Sequence, residues 1–326
     1  MTTINLVIPR WFYPYNLGDS IHSFFAPKII KHIHPNCKLN VFTTGELVNL
    51  MQLNPYVDNV SNVILQGSYD FWRSWAFSKI KPDKNTYCIF ADWHPRVWDF
   101  WNENFDYLSQ HSSANLITVN FLLELGMEST LFEDIDFNTP VNLGDIPVEE
   151  NTIGIVPATK LSGKPIPHTG CDGLGFRFNG DNGESWRKFV DTLRSMNGEI
   201  KIVEFSPINL GFGDEHVGEL PWIELLKQVS RVKLGVMSDG GMHHVFNSIR
   251  KPLVYLSSQK ISKETHLMLG NATFYEDLHS LCRSRCYNKT KELQGWDDLD
   301  SICDKSCQKV NPVALAENII RDYFND

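Results

Sequence analysis

The chain has 326 residues, too many for one ordinary core and comfortable for two α/β domains of roughly 150 residues each. Hydrophobic residues make up 42% and charged residues 21%, the balance of a globular protein, and no apolar run reaches the roughly 18 residues needed to span a bilayer. The formal net charge of −9 argues against a dedicated nucleic-acid binder, which presents basic surface to phosphates; a local basic groove around Lys28, Lys31 and Lys38 stays open. The start, Met1-Thr2-Thr3-Ile4-Asn5-Leu6, has no basic n-region and no small-residue cleavage site, which reads as a mature cytosolic start and sets cytoplasmic as the expected location.

In chain order, the apolar run Ile4–Pro9 predicts a first strand, followed by a loop and a helix over Ser20–His34 that Pro35-Asn36 ends. Lys38–Thr43 reads as the next strand, completing a β-loop-α-β unit of the kind that starts a parallel sheet. A helix over Gly45–Leu53, strands at Val60–Leu65 and Tyr87–Ala91, and helices over Arg96–Gln110 and Ala114–Leu125 follow. From Phe137 to Asn151 the chain is rich in Pro, Asn, Gly and acids, and a domain boundary is placed there, dividing residues 1–145 from 146–326. A second alternating pattern begins with a strand at Ile153–Pro157. Thr159–Gly183 reads as a Gly-rich loop, Glu184–Met196 as a helix, Glu199–Phe205 as a strand and Trp222–Val229 as a helix. Lys233–Met237 and Pro252–Leu256 read as strands flanking a helix over Gly241–Ser248, and Pro312–Phe324 is a final amphipathic helix with Pro312 in its first turn.

Two open parallel sheets place their ligands at strand C-terminal ends. A two-domain dehydrogenase has the same outline, but no Gly-x-Gly-x-x-Gly turn follows either leading strand and no P-loop is present. Two segments can carry chemistry. Gly18-Asp19 stands at the entry to a helix, where Asp19 is either an N-cap or a cleft carboxylate able to take a proton from an acceptor hydroxyl, with His22 one turn on. Ser238-Asp239-Gly240-Gly241-Met242-His243-His244 follows a strand and opens a helix. Its glycines allow close backbone approach, and the first N–H groups with the positive end of the helix dipole form an anion site suited to a nucleotide diphosphate. There Asp239 meets a sugar hydroxyl rather than phosphate; a glycine-rich turn capped by Asp239 is the simpler alternative. Aromatic residues cluster at Trp11–Tyr15 and from Trp93 to Tyr107, as core or as the lining of an acceptor cleft. Of seven cysteines, Cys282 and Cys286 form one close pair and Cys303 and Cys307 another, with sixteen residues between the pairs. Four thiolates in this pattern hold zinc or iron, form two disulfides, or stay idle.

The ordered segments together resemble glycosyltransferase family 9, the heptosyltransferase family. They are Gly18-Asp19-Ser20-Ile21 running to Pro27, Asn54-Pro55-Tyr56-Val57-Asp58, Leu220-Pro221-Trp222-Ile223-Glu224-Leu225, and Ser238–His244 followed by Lys251-Pro252. The resemblance implies a GT-B fold, two Rossmann-like domains with parallel sheets facing a cleft and a C-terminal helix. It implies an acceptor-binding N-terminal domain containing Gly18, His22 and the base Asp19. It likewise implies a donor-binding C-terminal domain in which Gly240, Gly241, Met242 and His243 meet the diphosphate and Asp239 the donor. The implied reaction is inverting and needs no metal. Cysteines near residues 282–307 recur in the family and hold a structural metal in some members. The family's Lys-x-Trp-Pro segment departs here: Trp186 has no Lys two residues before it. Lys160, Lys164 or Arg177 takes its place, and the donor sugar stays open.

The expected partners are a nucleotide-diphosphate sugar and an acceptor hydroxyl, by default on a surface glycan such as lipopolysaccharide. A protein or a modified DNA base is the alternative acceptor. A non-catalytic nucleotide-sugar-binding module and a sugar-nucleotide epimerase are the competing functions on the same architecture.

Overall fold

The computed structural model describes residues 2–8, 24, 26–63, 86–88, 143–157, 183–238, 241–256, 272–275 and 310–324. The predicted helices over Arg96–Gln110 and Ala114–Leu125 and nearly all of the 159–183 loop lie outside them.

The described elements of the N-terminal part are β1 (Thr3–Val7), α1 (Ala26–Ile33), β2 (Lys38–Thr43), α2 (Glu46–Gln52), β3 (Asn59–Asn62) and β4 (Thr86–Cys88). The strands form one parallel sheet in the order β3-β2-β1-β4. Alternation in β1 and β2 is strict enough to assign faces: Ile4, Leu6 and Ile8 pack with Leu39 and Val41 under Ile30 of α1 and Leu47, Leu50 and Met51 of α2. The other face carries an amide ladder. Asn40 donates to Asn5 (3.0 Å) and Asn59 donates to Asn40 (2.8 Å), and these three residues are direct register partners.

The C-terminal part contains β5 (Glu149–Val156), α3 (Glu184–Met196), β6 (Lys201–Phe205), β7 (Glu215–Val217), α4 (Trp222–Arg231), β8 (Val232–Ser238), α5 (Gly241–Ser248), β9 (Leu253–Leu256), β10 (Ala272–Tyr275) and α6 (Pro312–Tyr323). Its six described strands are all parallel, in the order β10-β9-β8-β5-β6-β7. The chain therefore winds from β5 outward to β7, returns, and winds from β8 outward to β10, as in a doubly wound nucleotide-binding sheet. One face is covered by α3 and α6: Trp186, Phe189, Val190 and Leu193 recur at helical spacing and meet Ile153, Ile155, Leu234 and Val236 with Leu315, Ile319 and Ile320. Asn311 caps α6 by accepting from Val313 N–H (3.0 Å) and Ala314 N–H (3.3 Å), with Pro312 in the first turn as expected. The other face is covered by α4, over β5 and β8, and α5, over β8 and β9. Because α2 lies against α4, one apolar core runs from the first sheet through these helices to the second.

Several predicted bounds are corrected. The strand expected from Ile153 begins at Glu149, inside the acid-rich stretch assigned to the boundary. Glu149 pairs with Arg231 (3.1 Å) and Glu150 with Lys233 (3.3 Å), so parallel pairing to β8 carries these acids into the sheet. The strand expected to run on to Leu65 ends at Asn62. The predicted Ser20–His34 helix is described as Ala26–Ile33, ending one residue short of His34, and residues 20–23 and 25 lie outside the described residues. Strands β7 and β10 were not anticipated; among the described residues each lies at an end of the sheet, paired with β6 and β9 respectively.

Candidate functional site

The direction of winding reverses between β1 and β4 in the first sheet and between β5 and β8 in the second, and ligand crevices form outside the strand C-termini at such reversals. In the first sheet, the chain leaving β1 is described to Ile8 and resumes at Phe24. Gly18, Asp19 and His22 lie between, outside the described residues. Both flanks are fastened. Thr43 Oγ1 donates to the Ile8 carbonyl (2.8 Å) and Asn54 Nδ2 to the Phe24 carbonyl (2.7 Å), both bonds buried. Asn54 Oδ1 also accepts from Tyr56 N–H (3.0 Å). Asp58 accepts from Leu39 N–H and from Lys31 Nζ, each at 2.7 Å, and these two bonds hold its carboxyl below the usual carboxylate range. The Asn54–Asp58 segment is thus a clip joining α1, β2, α2 and the far flank of the Asp19 segment.

In the second sheet, β8 delivers the chain to α5. Asp239 and Gly240 lie outside the described residues, as does Lys160; Gly241 is the first residue of the helix. Met242 is half-buried against the shared core. His243 is buried, its ring edge-on to Tyr255 of β9 at 5.3 Å and 78°. Phe246, further along the helix, is fully buried and edge-on to Phe205 of β6 at 5.6 Å and 85°. The helix stops after two turns, where Arg250 takes a left-handed backbone (φ 56°) and Lys251 N–H donates to the Phe246 carbonyl (3.0 Å). Lys251 leads into the N-terminal end of β9, away from the crevice, and burial pushes its ammonium below the ordinary lysine range, opposed by Glu150.

Two features escaped sequence reasoning. Glu204 of β6 is fully buried, yet its carboxylate accepts from Ser206 Oγ (2.6 Å), Leu210 N–H (2.7 Å) and Phe212 N–H (2.9 Å). It organises the loop at the C-terminal end of the strand next to β5, and its only sequence signal was an acid inside an apolar run. The second is a pair of glycines in register, Gly154 on β5 and Gly235 on β8, both facing Phe246. Cys282, Cys286, Cys303 and Cys307 lie outside the described residues. Among the described residues no helix is long and apolar enough to cross a membrane.

No protein-family model and no curated protein matches the sequence. Solved structures do. A glycosyltransferase family 9 protein from Veillonella parvula is similar over 98% of this chain and 96% of its own, with a TM-score of 0.57 and 14% identity. The dodecameric iron-containing heptosyltransferase TibC, solved with ADP-D-β-D-heptose, is similar over 99% of this chain and 77% of its own, with a TM-score of 0.58 and 11% identity. TibC from enterotoxigenic Escherichia coli H10407 gives a TM-score of 0.57 at 12% identity. The likeness is one of fold: the chain has the α/β, parallel-sheet GT-B architecture of these glycosyltransferases.

Proposed function

We propose that this chain is an inverting, metal-independent glycosyltransferase. The observation that carries the reading is the reversal between β5 and β8, where a short helix starts at Gly241 three residues after the end of a central strand. An anion seated there meets backbone N–H groups and the positive end of the helix dipole. The donor is a nucleotide-diphosphate sugar; TibC, of the same fold, was solved with one. The diphosphate lies at residues 240–243, Asp239 receives a donor hydroxyl, and Lys160 supplies a cation.

The acceptor comes from the side of the first sheet, with Gly18 and His22 against it. Asp19 takes the proton from its hydroxyl as the oxygen bonds to the anomeric carbon. The bond from that carbon to the diphosphate breaks, and the electron pair leaves with the nucleotide, its charge stabilised by the helix N–H groups. A surface glycan is the default acceptor. Asp19→Asn should lower turnover by about a thousandfold, within the range of general-base catalysis, while nucleotide affinity persists; unchanged turnover sinks the assignment of the base.

Four thiolates in two close pairs suit tetrahedral zinc or iron, and TibC is described as iron-containing. On that support Cys282, Cys286, Cys303 and Cys307 hold a structural metal, outside the chemistry. Metal analysis of the purified chain should find about one equivalent for a single four-thiolate site, lost when all four are changed to Ser. Absence of metal from the unaltered protein ends the idea.

A further inference from the structure

We propose that Phe246, seated in a notch left by Gly154 and Gly235, is a positioning residue that sets the height of α5 above the sheet and so the place where Gly241 meets the donor diphosphate. This rests on the donor-site reading above.

Gly154 and Gly235 are direct partners on the two central strands. Glycine in a strand interior weakens the strand and marks a close approach; here two of them face one ring. A Cβ on Gly235 would lie 2.6 Å from both Cδ1 and Cε1 of Phe246, and 2.7 Å from Cε of Met237. A Cβ on Gly154 would lie 3.1 Å from Cζ of Phe246 and 2.8 Å from Cε2 of Phe205. Phe246 has bare backbone beneath it, Phe205 beside it, and no exposed surface. Carbon atoms pack at roughly 3.5–4.0 Å, so a methyl at position 235 asks the ring to retreat by about 1 Å.

The ring is fully buried and edge-on to Phe205, so its retreat carries the helix with it. Its own carbonyl is tied to Lys251 N–H, and one turn earlier His243 is fixed against Tyr255. The helix moves as a unit, carrying its first N–H groups. Hydrogen bonds from N–H to charged oxygen run at about 2.7–2.9 Å, and a displacement of about 1 Å at such a site costs up to a hundredfold. Sequence periodicity places Phe246 in the core; only the pairing of β5 with β8 reveals what it rests on.

The test uses the full chain and calorimetric titration with ADP, UDP and GDP. If none of the three binds the unaltered protein, the donor-site reading falls and takes this inference with it. If one binds, Gly235→Ala should weaken it by about tenfold or more. Gly235→Ala combined with Phe246→Leu should recover to within about threefold, because the smaller side chain leaves room for the methyl. Ile319→Ala, on α6 across the sheet, should lower the melting temperature and leave the affinity alone, separating positioning from general loss of stability. Wild-type affinity in Gly235→Ala, or no recovery in the double variant, overturns the proposal. Should Gly235→Ala not fold, Phe246→Leu alone is read. A loss of about threefold, small because Leu keeps most of the packing volume, supports the proposal, and wild-type affinity overturns it.

Discussion

The two sheets are both parallel, but they hold their crevice ends in different ways. The second has six described strands with a buried helical layer on each face: α3 and α6 on one, α4 and α5 on the other. Its site-bearing helix is set by volume, a ring in a glycine notch. The first has four described strands, and the face away from α1 and α2 carries the polar Asn5–Asn40–Asn59 ladder, half-exposed at Asn5 and Asn40 and exposed at Asn59. The chain flanking its candidate base is held by directed polar bonds from Thr43 and Asn54. Packing fixes a distance and tolerates no added atom; hydrogen bonds fix an orientation and fail when one partner goes.

The largest effect that tests this contrast is Trp186→Ala. The indole is 1% exposed and sits edge-on to Phe189 at 5.9 Å, in the layer of the second sheet that faces away from the first. Emptying it should cost about 4 kcal/mol, read as a shift in denaturation midpoint, with nucleotide affinity of the folded fraction unchanged. A cost below about 1 kcal/mol, the range of a tolerated repacking, means that closure of both faces is not what holds the second sheet together.

Much of the second half was legible because its burial is periodic. Trp186, Phe189, Val190 and Leu193 fall on one helical stripe, and the predicted bounds of α3 match the structure. The start of α5 at Gly241 was legible from two glycines after an apolar strand. What escaped depends on which strands are neighbours. Glu215-His216-Val217 is a strand only because Val203–Phe205 offers it a ladder. Glu149 and Glu150 read as linker until Arg231 and Lys233 are placed beside them. Gly154 and Gly235 are 81 residues apart in number and adjacent in register, so neither alone signals a notch. Asn54 stood in a recognisable motif, but its work is a bond to a carbonyl thirty residues back, which no local pattern encodes.

Asn54 gives the smaller and more discriminating test. Its side chain is buried and satisfied at both atoms, donating to Phe24 O and accepting from Tyr56 N–H. Asn54→Ala leaves a carbonyl and an N–H to find other partners and should cost about 2 kcal/mol. Asn54→Asp keeps the acceptor toward Tyr56 but turns an oxygen toward the Phe24 carbonyl, so its cost should be at least as large. If the two sheets hold their ends independently, both variants should lower turnover, because the Asp19 segment loses its downstream fastening, while nucleotide affinity stays at the wild-type value. Gly235→Ala should show the reverse order, with affinity lost first. Equal loss of affinity in the Asn54 variants would mean that the core shared through α2 and α4 transmits strain from one sheet to the other, and that the polar clip and the glycine notch belong to a single mechanical unit.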